Sequence, residues 1–580
     1  MYLSLLLLAL FSGPLLYVLV ALGERKPDTY EDYHISGRTI PQTHFVGTTV
    51  AYAWQVAALA LFASWGWKYG FWTILVPAFW ALGYYIIAFL VRSGRLDTFL
   101  FQDSIGTIHQ FIASKGNLKL VGILAAFASL IGITGPAMYE ANLSGDVVAR
   151  LIAAHLGHSG DDSVLSLHGA GFFAIFLASA AAYMLRGGFR TVVSTDVYQL
   201  AIGYVAVSFV MSALLWQLAR VGEFVPAFVI LLLLTIISAW LLWYWHPPSK
   251  SKHTLFGLSA SSTPLAIGAS AYLTTLMLIV ALPSSGKAAA LSAGTWMHFV
   301  EQQRLHQPFA MGGWALLSLL IANALYQLVD VGQWQRLAAV QYDPNNKEEL
   351  RRTLVRANKV VTLYSPSTWV VAMFFGMMLR YLVPEVNDSN YYNALRLFLL
   401  HYQSIGGWFA NTIVLVFLVG MIAVMLSTVD SLVSCLAFTL HNDCVVPFRP
   451  KWRTTIVAEV MTGAYLVGGF LLYLEGTRLV SNLADILYSC WSAQIGLLPA
   501  IMIAFYRRNT SGAAMSLSIL GGLAGAVAPL IVRKLTGLPW DPYRFAPPLA
   551  LLGSTLFMLL GLGIVRLAGR SKPVDVREQI

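Results

Sequence analysis

Runs of roughly 20 apolar residues such as YLSLLLLALFSGPLLYVLVAL recur from one end of the chain to the other. Each is long enough to cross a hydrocarbon core of about 30 Å as a helix. A spanning segment must satisfy its backbone hydrogen bonds internally, and helix does so within a single run. About 15 such spans are expected over the 580 residues. The fold class this predicts is an all-α, polytopic membrane protein.

Charge and cysteine usage agree. Only 11% of the residues are charged, against about 25% in an average soluble domain, and the mean hydropathy is +0.68. The formal net charge of +10 raises the question of nucleic acid, but the basic residues are dispersed through short loops and form no single patch. No nucleic-acid partner is expected; the partners are the lipid bilayer and a small-molecule solute. Cys435, Cys444 and Cys490 lack C-x-x-C spacing, so neither a disulfide framework nor a thiolate metal site is predicted. The first run has no basic segment before it, and its charges, GERK, follow it. It therefore reads as a true first helix with its N-terminus outside. Most Lys and Arg then fall on the cytoplasmic side, including Arg336, Lys347, Arg351, Arg352, Arg356 and Lys359, as the positive-inside rule requires. The basic tail is placed in the cytoplasm, and the location is a plasma membrane of the bacterial inner-membrane type.

Charge inside a bilayer costs about 2.5–3.5 kcal/mol per residue at a helix centre on insertion scales, so its persistence points to function. Glu140, Asp196, Asp330 and Asp430 are the acidic candidates. For Asp196, in RGGFRTVVSTDVYQ, two readings stand: an ion role, or a structural one in which it pairs with Arg190 or caps a helix near its start. In MLSTVDSLVSCLAFTLHND (Met425 to Asp443), Ser427, Thr428 and Ser431 share one helix face with Val424. Such hydroxyls either bond back to the carbonyl one turn earlier and join helices, or they hold an ion. Hydroxyl and carbonyl oxygens are hard ligands, and a cage of them without formal charge suits a monovalent cation. Sodium is the expected ion.

Five segments resemble those of a known family. DYHISGRTIPQTHFVGTTVAYAW (Asp32 to Trp54), RGGFRTVVSTDVYQ (Arg186 to Gln199), ANALYQLVDVGQWQR (Ala322 to Arg336), LSTVDSLVSCLAFTLHND (Leu426 to Asp443) and GLLPAIMIAFYRR (Gly496 to Arg508) are similar, in order, to helix motifs of the sodium:solute symporters. The resemblance implies two inverted five-helix repeats, 45–219 and 310–506, with broken helices at mid-membrane. Around them it leaves an extra N-terminal helix (1–22), a two-helix insertion (225–283), two C-terminal helices (512–566) and a cytoplasmic tail (567–580). It implies a sodium site made of the Ser427 and Thr428 hydroxyls and carbonyls at Val424, Val56 and Leu59. Ser431 and Asp430 match positions of a second ion in some members, and Asp196 an acid on sodium's exit path. The second helix departs from the family in lacking glycine until Gly66, where members often have one at the break.

Across the core, Trp54, Gln55, Tyr139, Glu140, Asn323, Tyr326 and Gln327 are the expected substrate residues. The positions matching the sugar branch's polar ligands are Pro77 and Ile133, so a sugar is disfavoured. No Lys or Arg is expected at mid-membrane, and a carboxylate would have to be met by helix N-terminal amides or by sodium itself. The resemblance thus implies sodium-coupled import of a small polar or organic-acid solute by alternating access. Two rival readings remain open: a transporter-like sensor working with a separate partner, and a sodium-independent uniporter or proton-coupled carrier in which Asp430 or Glu140 titrates in place of sodium. No H-E-x-x-H or G-x-S-x-G motif suggests an enzyme. The sequence does not choose the solute, the number of coupling ions, the role of the inserted helices, the oligomeric state or the job of Asp430.

Overall fold

A computed structural model describes residues 25–101, 106–155, 162–219, 254–255, 258–259, 312–341, 346–479, 483–506, 510–538 and 540–568. The expected first helix, nearly all of the expected insertion and all but two residues of the expected tail lie outside them. Among the described residues extended pairing is confined to Thr254–Leu255 with Leu258–Ser259 and to one parallel bridge between Ile40 and Val340. The rest of the regular structure is helical.

The helices that position the site are α1 (Tyr30–Ile35), α2 (Gln42–Ala53), α3 (Val56–Tyr69), α4 (Leu75–Arg92), α5 (Lys119–His155) and α6 (Asp162–Ala219). After the gap come α7 (Gly313–Ala324), α8 (Tyr326–Val329), α9 (Val331–Ala339), α10 (Lys347–Leu382), α11 (Gly407–Thr439), α12 (Leu483–Ile495) and α13 (Pro542–Ala568). Eight helical stretches among the described residues are long and apolar enough to cross a membrane. Leu552, Leu556, Leu559, Leu560 and Ile564 form an exposed stripe at helical spacing on α13. In water that stripe would be an adhesive patch; against lipid it is the outer wall of the bundle. The chain is a multi-pass membrane protein.

Three interruptions shape the interior. Between α2 and α3 the backbone leaves the helical region at Trp54 (ψ 87°) and Gln55 (ψ 147°), both at negative φ. Any residue adopts those angles, so the break needs no glycine. A second break runs from Leu325 to Asp330, whose ψ of 112° separates α8 from α9. The third lies within α6 at Gly188, with φ at 59°. A Cβ there would sit 2.4 Å from the Tyr33 carbonyl oxygen, so glycine is required by both conformation and space. The paired backbones at Ile40 and Val340 bring the entry to α2 and the exit of α9 to the same end of the bundle.

Gly66 serves packing instead of the break. A Cβ on Gly66 would lie 2.1 Å from the Met373 carbonyl oxygen, and one on Gly376 would lie 1.8 Å from that of Ala63. Two glycines thus let α3 and α10 touch backbone to backbone, the small-residue contact that joins helices where lipid removes the hydrophobic driving force. Gly376→Ala is expected to lower stability by about 1–3 kcal/mol through overpacking. Unfolding in detergent reads this directly, and a midpoint equal to that of the parent chain would show that the contact is not needed.

Candidate functional site

Both broken helices restart on a carboxylate. The first two amides of α3, Val56 and Ala57, donate to Glu140 Oε1 and Oε2 at 2.9 and 2.8 Å. Glu140 comes from α5 and is fully buried, so an acid of a neighbouring helix caps the positive end of α3. At the start of α9 the chain supplies its own cap, with Asp330 Oδ1 accepting from Gly332 N at 3.0 Å. The same oxygen accepts from the Tyr52 hydroxyl at 2.8 Å, which ties the last turn of α2 to the second break.

Below the breaks lies a dense polar cluster. Asp196, on α6, accepts from Ser427 Oγ at 2.5 Å on Oδ1 and from Thr48 Oγ1 on Oδ2. Ser431 Oγ stands 3.4 Å from Oδ2, and the Arg336 guanidinium 3.5 Å from it. Arg336 also donates to Thr48 Oγ1 at 3.0 Å, to Ser431 Oγ at 2.7 Å and to the Gly332 carbonyl at 3.2 Å. Its guanidinium lies 4.3 Å from the Tyr52 ring centroid, within cation–π reach. Arg336 and Asp196 are both 0% exposed. Two expectations are corrected here. Arg336 was grouped with cytoplasmic loop charges, yet every residue of α9 is buried and its cation faces the interior. Asp196 is not the partner of Arg190, which instead holds Asp32 at 2.9 Å.

On α11 the hydroxyls divide between two partners. Ser427 and Ser431 face Asp196, while Thr428 Oγ1 donates to the Val424 carbonyl at 3.0 Å, the back-bonding that hydroxyls in apolar helices favour. Both Ser427 and Thr428 give away their protons, and their oxygen lone pairs stay available to a cation. Val424 lines a cavity together with Leu59 and Trp54. Trp54 and Val424 also close on Gly203, where a Cβ would meet both side chains. Asp430 points elsewhere: Oδ2 accepts from the Tyr183 hydroxyl at 2.5 Å, and Oδ1 has no partner among the described residues.

A cavity lies between the breaks. Gln55 from the first break and Asn323 and Tyr326 from the second line it. No charged side chain does so among the described residues. The other expected substrate residues fall outside it. Trp54 packs on Tyr204 with ring centroids 5.1 Å apart, and Glu140 holds the α3 amides. Gln327 is packed on Gly83 of α4, and Tyr139 is half-buried on α5. Trp80, Trp369, Tyr488 and Trp491 complete the walls. Sequence reasoning missed them because an aromatic at helical spacing carries no mark of which neighbour it faces.

A second buried chain of polar groups ties the far end of α11. Its last turns widen into a π-helical segment, Leu440–Val445. There Asp443 accepts from Thr107 Oγ1 at 2.6 Å and Asn442 Nδ2 at 3.0 Å, and pairs with His109 Nδ1 at 2.6 Å. His109 Nε2 meets Ser129 Oγ at 2.9 Å. The order of serine, histidine and aspartate resembles a nucleophile relay, but both Ser129 and His109 are wholly enclosed. The chain reads as a tie between helices.

No protein-family model and no curated protein matches the chain. Among solved structures, a sodium-coupled sialic acid symporter in a substrate-bound outward-open state aligns over 99% of both chains, with a TM-score of 0.61 at 13% identity. That likeness is one of fold. A nucleobase-cation-symport-1 family transporter, in a closed conformation with bromovinylhydantoin bound, aligns over 93% of this chain and 95% of its own, with a TM-score of 0.46 at 14% identity.

Proposed function

We propose that this protein is a sodium-coupled secondary transporter of the sodium:solute symporter kind, moving a small solute by alternating access. The observation that carries this reading is the cavity enclosed between two helices broken at neighbouring points, α2/α3 and α7 to α9. Discontinuous helices place backbone carbonyls and break-point side chains where an ion and a solute can use them, and irregular backbone at membrane depth is tolerated only within protein or around a cavity. The proposed repeats are 45–219 and 310–506, and the two breaks beside the cavity fall one in each. Sodium, as cargo, would be held by Ser427 and Thr428, with carbonyls from Val424, Val56 and Leu59. Binding there links α11 to α3 and favours the state in which the solute cavity is complete. Reorientation then releases both on the other side, with Asp196 on the exit route. One charge moved through 100 mV supplies about 2.3 kcal/mol, roughly a 50-fold accumulation.

Uptake into proteoliposomes across a panel of small external solutes tests this. Uptake is expected to require inward sodium and to fall to background when potassium replaces it. Equal uptake in potassium, or uptake that follows an imposed pH gradient alone, would make it a sodium-independent or proton-coupled carrier. Saturable solute binding without any flux would instead make it a sensor.

A further inference from the structure

Among the aromatic rings that wall the cavity between the breaks, two pairs share a similar orientation. Trp80 and Tyr326 are inclined by 23° with centroids 5.9 Å apart, and Trp80 and Trp491 by 27° at 6.5 Å. A ring inserted between two such faces needs roughly 7 Å, twice the optimal carbon–carbon contact. The Trp80–Trp491 separation of 6.5 Å falls short of that by about half an ångström, which a small side-chain adjustment supplies.

The polar groups of the cavity are amides and ring N–H donors. Gln55 and Asn323 supply both donors and acceptors. The indole N–H of Trp491 is buried and has no hydrogen-bond partner among the described residues, so it lacks an acceptor that a ligand carbonyl would supply. Of the acids close to these walls, Asp485 pairs with Arg533, Asp330 is held by the Tyr52 hydroxyl and the Gly332 amide, and Glu140 by the two amides of α3. An organic anion would enter without a counter-charge and an organic cation without a carboxylate.

We propose that this cavity takes a planar, uncharged aromatic or heteroaromatic solute bearing a carbonyl or amide, its ring stacked between Trp80 and Trp491 and its polar edge on Gln55 and Asn323. This rests on the transporter reading and narrows it, taking the polar solute over the organic acid of the two that the sequence leaves open.

Equilibrium dialysis of the purified full-length chain, in sodium and in potassium buffer, tests it with labelled benzamide, nicotinamide, cyclohexanecarboxamide, succinate and tetramethylammonium. Benzamide and nicotinamide are expected to bind saturably. The saturated-ring amide, which keeps the polar group and loses the flat face, is expected to bind at least about tenfold more weakly, the usual scale of ring stacking. Trp491→Ala is expected to lose a similar factor, and Trp491→Phe to keep the preference for flat rings. Gln55→Leu, at a half-buried position outside the packed core, is expected to weaken both amides alike. Equal binding of benzamide and cyclohexanecarboxamide, preference for succinate or tetramethylammonium, or no saturable aromatic binding would each overturn the proposal. Dialysis needs no gradient, so a failure of sodium-driven uptake leaves this result standing. Sodium-driven uptake of succinate would overturn it while sparing the transport reading.

Discussion

Arg336→Met is expected to cost about 3–5 kcal/mol of stability, because it leaves the Asp196 carboxylate buried without its cation. Asp196 has no solvent to turn to, being 0% exposed on a helix packed against α11. Ser427, Thr48 and Ser431 still offer hydroxyls, but neutral donors do not replace a guanidinium at 3.5 Å. Removing both charges is a different experiment. Arg336→Met combined with Asp196→Leu is expected to recover most of the loss, since replacing a buried ion pair with packed apolar groups is often neutral. The double variant should nonetheless lose sodium-dependent uptake, because Asp196 no longer orients Ser427. Unfolding midpoints of the two single variants and the double form the cycle. A double variant no more stable than either single one would show that the pair does not act as a unit.

The sequence revealed the fold class well and the site only in part, and particular residues explain the difference. Apolar runs specify spans because length and polarity alone decide them, and α4, α5 and α11 fall where the runs lie. The α2/α3 break was harder to read, since Trp54 and Gln55 adopt ordinary negative φ and need no glycine to mark them. Arg336 was misread for a related reason. α9 is a short helix in which Gln333, Gln335 and Arg336 look like a solvated end, and only contact with α2, α6 and α11 turns them inward. The hydroxyl face of α11 was readable because period 3.6 places Ser427 and Ser431 together. What periodicity cannot give is the direction of each proton, and there the two neighbours Ser427 and Thr428 part company.

Thr428→Val is expected to reduce sodium-activated uptake by about 10- to 150-fold, the range that follows from losing one charge-assisted contact of roughly 1.5–3 kcal/mol. The hydroxyl donates to Val424 O at 3.0 Å, so its oxygen is oriented before any ion arrives and the carbonyl beside it is held in place. Valine keeps the branched shape of threonine and removes only that oxygen, which separates ion binding from packing. Thr428→Ser restores the oxygen and is expected to restore the sodium response. Ser427→Ala reaches further, since Ser427 also satisfies Asp196 Oδ1 at 2.5 Å. It is therefore expected to lower stability along with sodium affinity, whereas Thr428→Val shifts the sodium concentration for half-maximal uptake with little change in the unfolding midpoint. If Thr428→Val leaves sodium activation unchanged, the back-bond to Val424 is its whole role, and the ion, where it binds, sits against Asp196 instead.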